Sequence, residues 1–111
     1  MNNLDKCLEW LEVVENQIKD RDKYLLHLLR GKVFDRKRQF HNASQEFEIA
    51  SQIGSGYSLE NDVVGNIDFR LGWALVRSKR DIPKGIQKLQ HASECIPDNT
   101  EILIKLAGVL Y

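Results

Sequence analysis

His91 and Cys95 stand four residues apart. On a helix that spacing brings an imidazole and a thiol to one face, as two metal ligands would be placed. No second pair completes a site, so no metal is expected. His27 and His41 are isolated from each other and from that pair. Glu46 and Glu48 are two apart, which puts them on different faces of a helix and denies them acid–base work as a pair. Gly54-Ser55-Gly56 lacks the following Lys-Ser/Thr that a phosphate-cradling loop needs. Cys7 and Cys95 are the two cysteines, far apart and with no C-x-x-C, so neither a disulfide framework nor a zinc site is expected and both thiols read as reduced. These residues predict no catalysis and no cofactor.

Charge is the next possible chemistry. Arg30, Lys32, Arg36, Lys37 and Arg38 form the one basic cluster, which could meet RNA. Asp35, Glu46 and Glu48 lie close by, and sixteen basic side chains are cancelled by sixteen acidic ones. With no net charge there is no global pull toward nucleic acid or an anionic membrane. RNA binding is therefore the alternative reading, and nucleic acid is disfavoured as a partner.

The elements that would position these residues are helical. A length of 111 residues bounds the chain to one domain, and 42% hydrophobic with 29% charged residues is a globular balance. The first residues lack the basic and apolar regions of a signal peptide, and no apolar run approaches the ~20 residues that span a bilayer. A cytoplasmic, soluble chain is expected. Residues 3–19 read as an amphipathic helix through Leu4, Leu8, Leu11 and Ile18, with Asn2 or Asn3 as its cap. Residues 23–36 and about 39–53 read as a helical pair, with Arg36-Lys37-Arg38 at the turn. Gly54 is expected to cap the second of these in the left-handed conformation. A second pair begins near Asn61 or Asp62 and runs to about Ser78. It resumes at Asp81, a good N-cap, with Pro83 in the first turn where a missing N–H costs little. Asp98-Asn99-Thr100 caps a last helix.

Small and aromatic residues fall where paired helices must touch. Gly31 to Phe34, Ala43 to Phe47 and Phe47 to Ala50 step by three, four and three, keeping one face. Gly72, Gly85, Leu89 and Ala92 echo them, with a turn one residue longer, and Pro97 follows. This pattern resembles the tetratricopeptide repeat, a 34-residue helical pair. His27 and Arg30 stand where that family prefers Trp and Leu, and Leu25, Leu28 and Leu29 supply the apolar face instead. The resemblance implies an all-α, antiparallel helix-pair solenoid of about six helices. Residues 1–21 form a leading helix, 22–56 a first repeat, 61–97 a second, and 98–111 the first helix of an incomplete third.

Residues 68–89 are also similar to a repeat of the mitochondrial fission 1 protein family. Trp73, Ala74, Leu75, Val76 and Ser78 match its first helix, and Gly85, Ile86 and Leu89 its second. Here a helix and a whole repeat precede this segment, where that family has about one helix. Its membrane anchor has no counterpart. The likeness implies, as a further alternative, an adaptor that recruits partners to the cytosolic face of an organelle.

Tetratricopeptide arrays take a peptide or helix on the face lined by the first helix of each pair. Carrying that face onto this chain gives Leu25, Leu28, Lys32 and Asp35, then Asn66, Phe69, Trp73, Val76 and Arg77. An apolar groove with a charged edge suits an amphipathic helix or apolar peptide. A protein-interaction scaffold or adaptor is therefore the expected function. A subset of the family clamps the C-terminal carboxylate of heat-shock chaperones with Lys and Asn. The matching places are Leu28, Lys32 and Arg70, so only charge is retained and this ligand is not expected. Leu103, Leu106, Leu110 and Tyr111 fall where a third repeat's first helix would meet a partner helix. They predict self-association into a homodimer.

Overall fold

The first helical pair closes where the Phe47 ring is seated against Gly31. A Cβ built on Gly31 would lie 2.5 Å from Phe47 Cδ1, so no other residue fits there without moving a buried ring. Ala43 and Ala50 flank Phe47 and are fully buried. The computed structural model describes residues 3–110. It contains six α-helices: α1 (Asn3–Val14), α2 (Lys23–Arg36), α3 (Phe40–Ser55), α4 (Asn61–Ser78), α5 (Ile82–Cys95) and α6 (Thr100–Leu110). Two short 3-10 turns, Glu15–Gln17 and Asp20–Asp22, join α1 to α2, and there is no strand among the described residues.

The architecture is an all-α, tetratricopeptide-like solenoid of antiparallel helix pairs. α2 pairs with α3 and α4 with α5, while α3 packs on α4 and α5 on α6. One core gathers Leu28, Ala43, Phe47, Ala50, Ile67, Leu71, Ala74 and Leu75 between α2, α3 and α4. A second gathers Phe69, Leu89, Ala92 and Ile102 between α4, α5 and α6. The α4–α5 contact is closer than the α2–α3 one. A Cβ on Gly72 would lie 2.7 Å from the Gly85 carbonyl oxygen, and one on Gly85 would lie 2.8 Å from that of Gly72. Here backbone meets backbone.

The helix ends follow local chemistry. Asp81 accepts a hydrogen bond from the Lys84 N–H at 3.0 Å, with Pro83 in the first turn of α5. Asn99 Oδ1 accepts from the Ile102 N–H at 3.1 Å, which makes Asn99 the cap of α6. Two expectations are corrected. The leading helix stops at Val14, not Lys19, and Ile18 is extended. Seventeen helical residues would run about 25 Å and overshoot α2, whose fourteen span about 21 Å. The tight turns reverse the chain instead. Gly54 is not a left-handed cap. It lies buried inside α3, and no described glycine has positive φ. Its lack of a side chain admits Leu59, whose Cδ1 would lie 2.9 Å from a Cβ there. The left-handed positions are Arg38 and Lys79, at the ends of α2 and α4. The capping expectation at Asn2 and the self-association expectation at Tyr111 lie outside the described residues.

Candidate functional site

Arg70, on α4, lies at the junction of two adjoining cavities. The first, about 540 Å³, is walled by Leu4, Cys7 and Leu11 of α1 and by Leu29, Lys32, Val33 and Arg36 of α2. The second, about 220 Å³, runs on between α2, α4 and α6, past Phe69, Trp73, Arg77, Glu101 and Lys105. Asp35 and Arg70 line both, so the two form one cleft along the first helices of the pairs.

α1 is part of that cleft because it folds back antiparallel on α2. Lys37 Nζ donates to Asp5 Oδ1 at 2.5 Å near one end, and Arg30 donates to Glu15 at 3.2 Å near the other. No residue of α1 is fully buried. Exposed pairs of this kind add little stability, so α1 is held by its half-buried leucines and oriented by the ion pairs. These pairings also divide the basic cluster. Lys37 is engaged by α1 and Arg30 by the turn that follows it, while Lys32 and Arg36 line the cleft.

No described carboxylate lies within ion-pair distance of Lys32, Arg36 or Arg70. Arg70 Nε is shut off from solvent and has no hydrogen-bond partner. Burial, and then the Arg70 charge, lower the Lys32 pKa from its ordinary value. At the other end the Trp73 ring is already engaged. Lys105 Nζ sits 4.6 Å from its centroid and the Arg77 guanidinium 5.7 Å, and Arg77 also lies 4.2 Å over Phe40.

The residues read from sequence as groove-facing divide three ways. Lys32, Asp35, Phe69, Trp73 and Arg77 line the cleft, although Phe69 is 6% exposed and packs chiefly into the second core. Leu28 does not face it: it is 5% exposed and belongs to the first core, because its side of α2 turns to α3. Val76 packs toward α5, close to Gly85. Leu25 is exposed and Asn66 half-buried, and neither lines these cavities. Sequence reasoning missed the α1 wall and the α6 edge at Glu101 and Lys105. The four-and-three spacing of Leu4, Leu8 and Leu11 marked an apolar stripe but not the helix it would meet. On α6, Leu103 and Leu110 are about half exposed, Ile104 is 64% exposed, and Leu106 packs against the second core.

Other polar clusters tie helices together. His27 Nδ1 meets Glu46 at 2.8 Å across α2–α3. At the matching places of the next pair, Lys88 Nζ lies 3.9 Å from buried Asp68, with the signs exchanged. His91 also contacts Asp68, and Cys95 Sγ lies 3.8 Å from His91 Nε2. Burial, and then the charges of Asp68 and Glu94, push the Cys95 thiol pKa up, the reverse of what a nucleophile needs. No three metal-binding side chains come together among the described residues. A wider cleft of about 840 Å³ opens between the α3 and α5 sides, where Lys84 pairs with Glu48 and Arg80 reaches the Ser44 hydroxyl at 3.5 Å. No described helix is long and apolar enough to cross a membrane.

The residues that carry the fission-protein likeness are mostly helix contacts. Ala74, Leu75, Gly85 and Leu89 are buried at or beside the α4–α5 interface. No protein-family model matches the chain, and no curated protein matches it. Among solved structures, the N-terminal domain of stress-induced protein-1 (STI-1) from C. elegans is similar, with a TM-score of 0.65 and 15% identity. The match covers 79% of this chain and 68% of that one. At that identity the likeness is one of fold: the chain folds as a tetratricopeptide-like helical domain.

Proposed function

We propose that the protein is a non-enzymatic interaction module that takes a helix or peptide of a partner protein in the cleft along α2, α4 and α6. The carrying observation is that the two cavities adjoin: they share Asp35 and Arg70 and lie along the C-terminal halves of α2 and α4. Its larger part has apolar walls and a charged rim, the combination an amphipathic ligand needs.

Site-specific photo-crosslinking tests this. A benzophenone side chain at position 35 should trap a partner from the native extract, and the same group at position 52 or 87, on α3 and α5, should not. Crosslinks confined to positions 52 and 87 would sink the reading. A second contact is proposed at α6, where Leu103, Ile104 and Leu110 expose apolar surface suited to a second copy. Light scattering over a concentration series tests it. A mass that stays monomeric at every concentration rules it out.

A further inference from the structure

We infer that His91 and Cys95 are half of a zinc site, completed by the same two residues of a second copy of the chain. Two imidazoles and two thiolates hold the ion at a twofold contact formed by α5. The site is separate from the cleft, and its failure leaves the reading of the cleft untouched.

Three observations carry it. First, the two ligand atoms are already spaced for one ion. Cys95 Sγ lies 3.8 Å from His91 Nε2. A tetrahedral zinc bound ~2.3 Å from sulfur and ~2.0–2.1 Å from nitrogen separates them by about 3.6 Å. Second, the imidazole is held as metal-bound imidazoles are. Buried Asp68, on α4, accepts from His91 Nδ1 through Oδ2, while its Oδ1 faces Lys88 Nζ at 3.9 Å. An ionised carboxylate only accepts, so Nδ1 carries the proton and Nε2, on the Cys95 side, is the nitrogen left to bind a metal. Third, the pair is open to a second molecule. The His91 side chain is 53% exposed and Cys95 is half-buried. A structural zinc takes four ligands, and among the described residues no third metal-binding side chain joins these two. A twofold axis beside α5 supplies the missing pair, because an isologous contact sets residues near the axis against their own copies. The charges along α5 suit that contact. Lys84, Lys88, His91 and Cys95 share one face by steps of four, three and four, and Asp98 follows beyond the helix end. Two such faces laid antiparallel set the lysine end of one against the Glu94 and Asp98 end of the other. Thiolate with imidazole selects zinc over magnesium or calcium, which prefer oxygen.

The probe is cobalt(II), which takes zinc's place and whose tetrahedral thiolate complexes absorb visible light. Titrated into the reduced whole chain, it should give intense visible bands and a thiolate charge-transfer band that level off at one cobalt per two chains. Added zinc should bleach them. His91→Ala and Cys95→Ala should each abolish the bands, and Cys7→Ala should leave them. Asp68→Asn should keep their shape while weakening cobalt affinity about 10–100-fold. His91 is exposed, so its variant keeps the test sound if Asp68→Asn or Cys95→Ala unfolds, which far-UV circular dichroism detects. Light scattering then compares the mass with zinc and with a chelator. A larger mass with zinc is expected, and an equal mass overturns the shared site. That comparison also separates this contact from association through α6, which needs no metal. Levelling off at one cobalt per chain overturns the inference, as do bands that survive His91→Ala, or no bands at about 1 mM cobalt.

Discussion

Replacing Gly72 by alanine is a severe test of the helix pairing for so small a change. An unobstructed Gly→Ala inside a helix gains roughly 0.5–1 kcal/mol from backbone entropy and propensity. At Gly72 the added methyl meets the Gly85 carbonyl oxygen at 2.7 Å and the Leu89 backbone nitrogen at 3.0 Å. Neither is the free end of a side chain, so relief requires α5 to move away from α4. Overpacking of this kind costs about 1–3 kcal/mol. Set against the propensity gain, the expected net loss is about 0–2.5 kcal/mol, centred near 1. Gly108 is the control. It also lies in a helix, and a Cβ there meets nothing within 4 Å, so Gly108→Ala should gain roughly 0.5–1 kcal/mol. Urea unfolding followed by far-UV circular dichroism measures both, with the slope held common. A loss of 1 kcal/mol lowers Tm by about 4–8 °C in a domain near this size. If Gly72→Ala were as stabilising as Gly108→Ala, α4 and α5 would not touch backbone to backbone and the pairing would be wrong.

Two further expectations concern titrating groups. Lys32 has its pKa lowered on folding, by burial first and by Arg70 second. Between that lowered value and the ordinary ~10.4 the unfolded chain binds more protons, so Lys32 makes stability rise with pH across this window. Urea midpoints measured from about pH 8 to 10.5 should therefore climb less in Lys32→Met than in the parent chain, and an identical climb would show that Lys32 is not burdened. The two thiols should differ in rate. Cys7 is exposed, whereas the Cys95 thiol is half-buried and pushed up in pKa, so iodoacetamide at neutral pH should alkylate Cys7 first. Peptide mass spectrometry over time reads the order, and faster labelling at Cys95 would contradict the placement of Asp68 and Glu94 beside it.

Much of the fold was legible because tight helix contacts demand particular residues. Gly31 with Phe47, and Gly72 with Gly85 and Leu89, are positions where few other side chains fit, so their spacing revealed two pairs. Asp81, Pro83 and Asn99 marked helix starts through local hydrogen bonding. The cleft was less legible. Leu28 and Val76 share the helical period with groove positions, and composition does not tell which side of a helix its neighbour takes. The role of α1 rests on contacts across more than twenty residues, such as Asp5 with Lys37, which no local pattern announces. The basic cluster looked like one surface in the chain. Its members diverge in space: Lys37 pairs with Asp5 of α1 and Arg30 with Glu15 just after it, Lys32 and Arg36 line the cleft, and Arg38 is exposed at the turn after α2. Gly54 misled because a glycine at a helix end suggests a turn, whereas this one makes room for Leu59.

The central claim is that the cleft along α2, α4 and α6 is the recognition face. Hydrogen–deuterium exchange, with and without the partner trapped at position 35, tests it directly. The account predicts added protection in Leu25–Asp35 and Asn66–Arg77, with little change in Asn42–Ser51 or Gln87–Glu94. Protection confined to the latter two segments would place the partner on α3 and α5 and contradict the account.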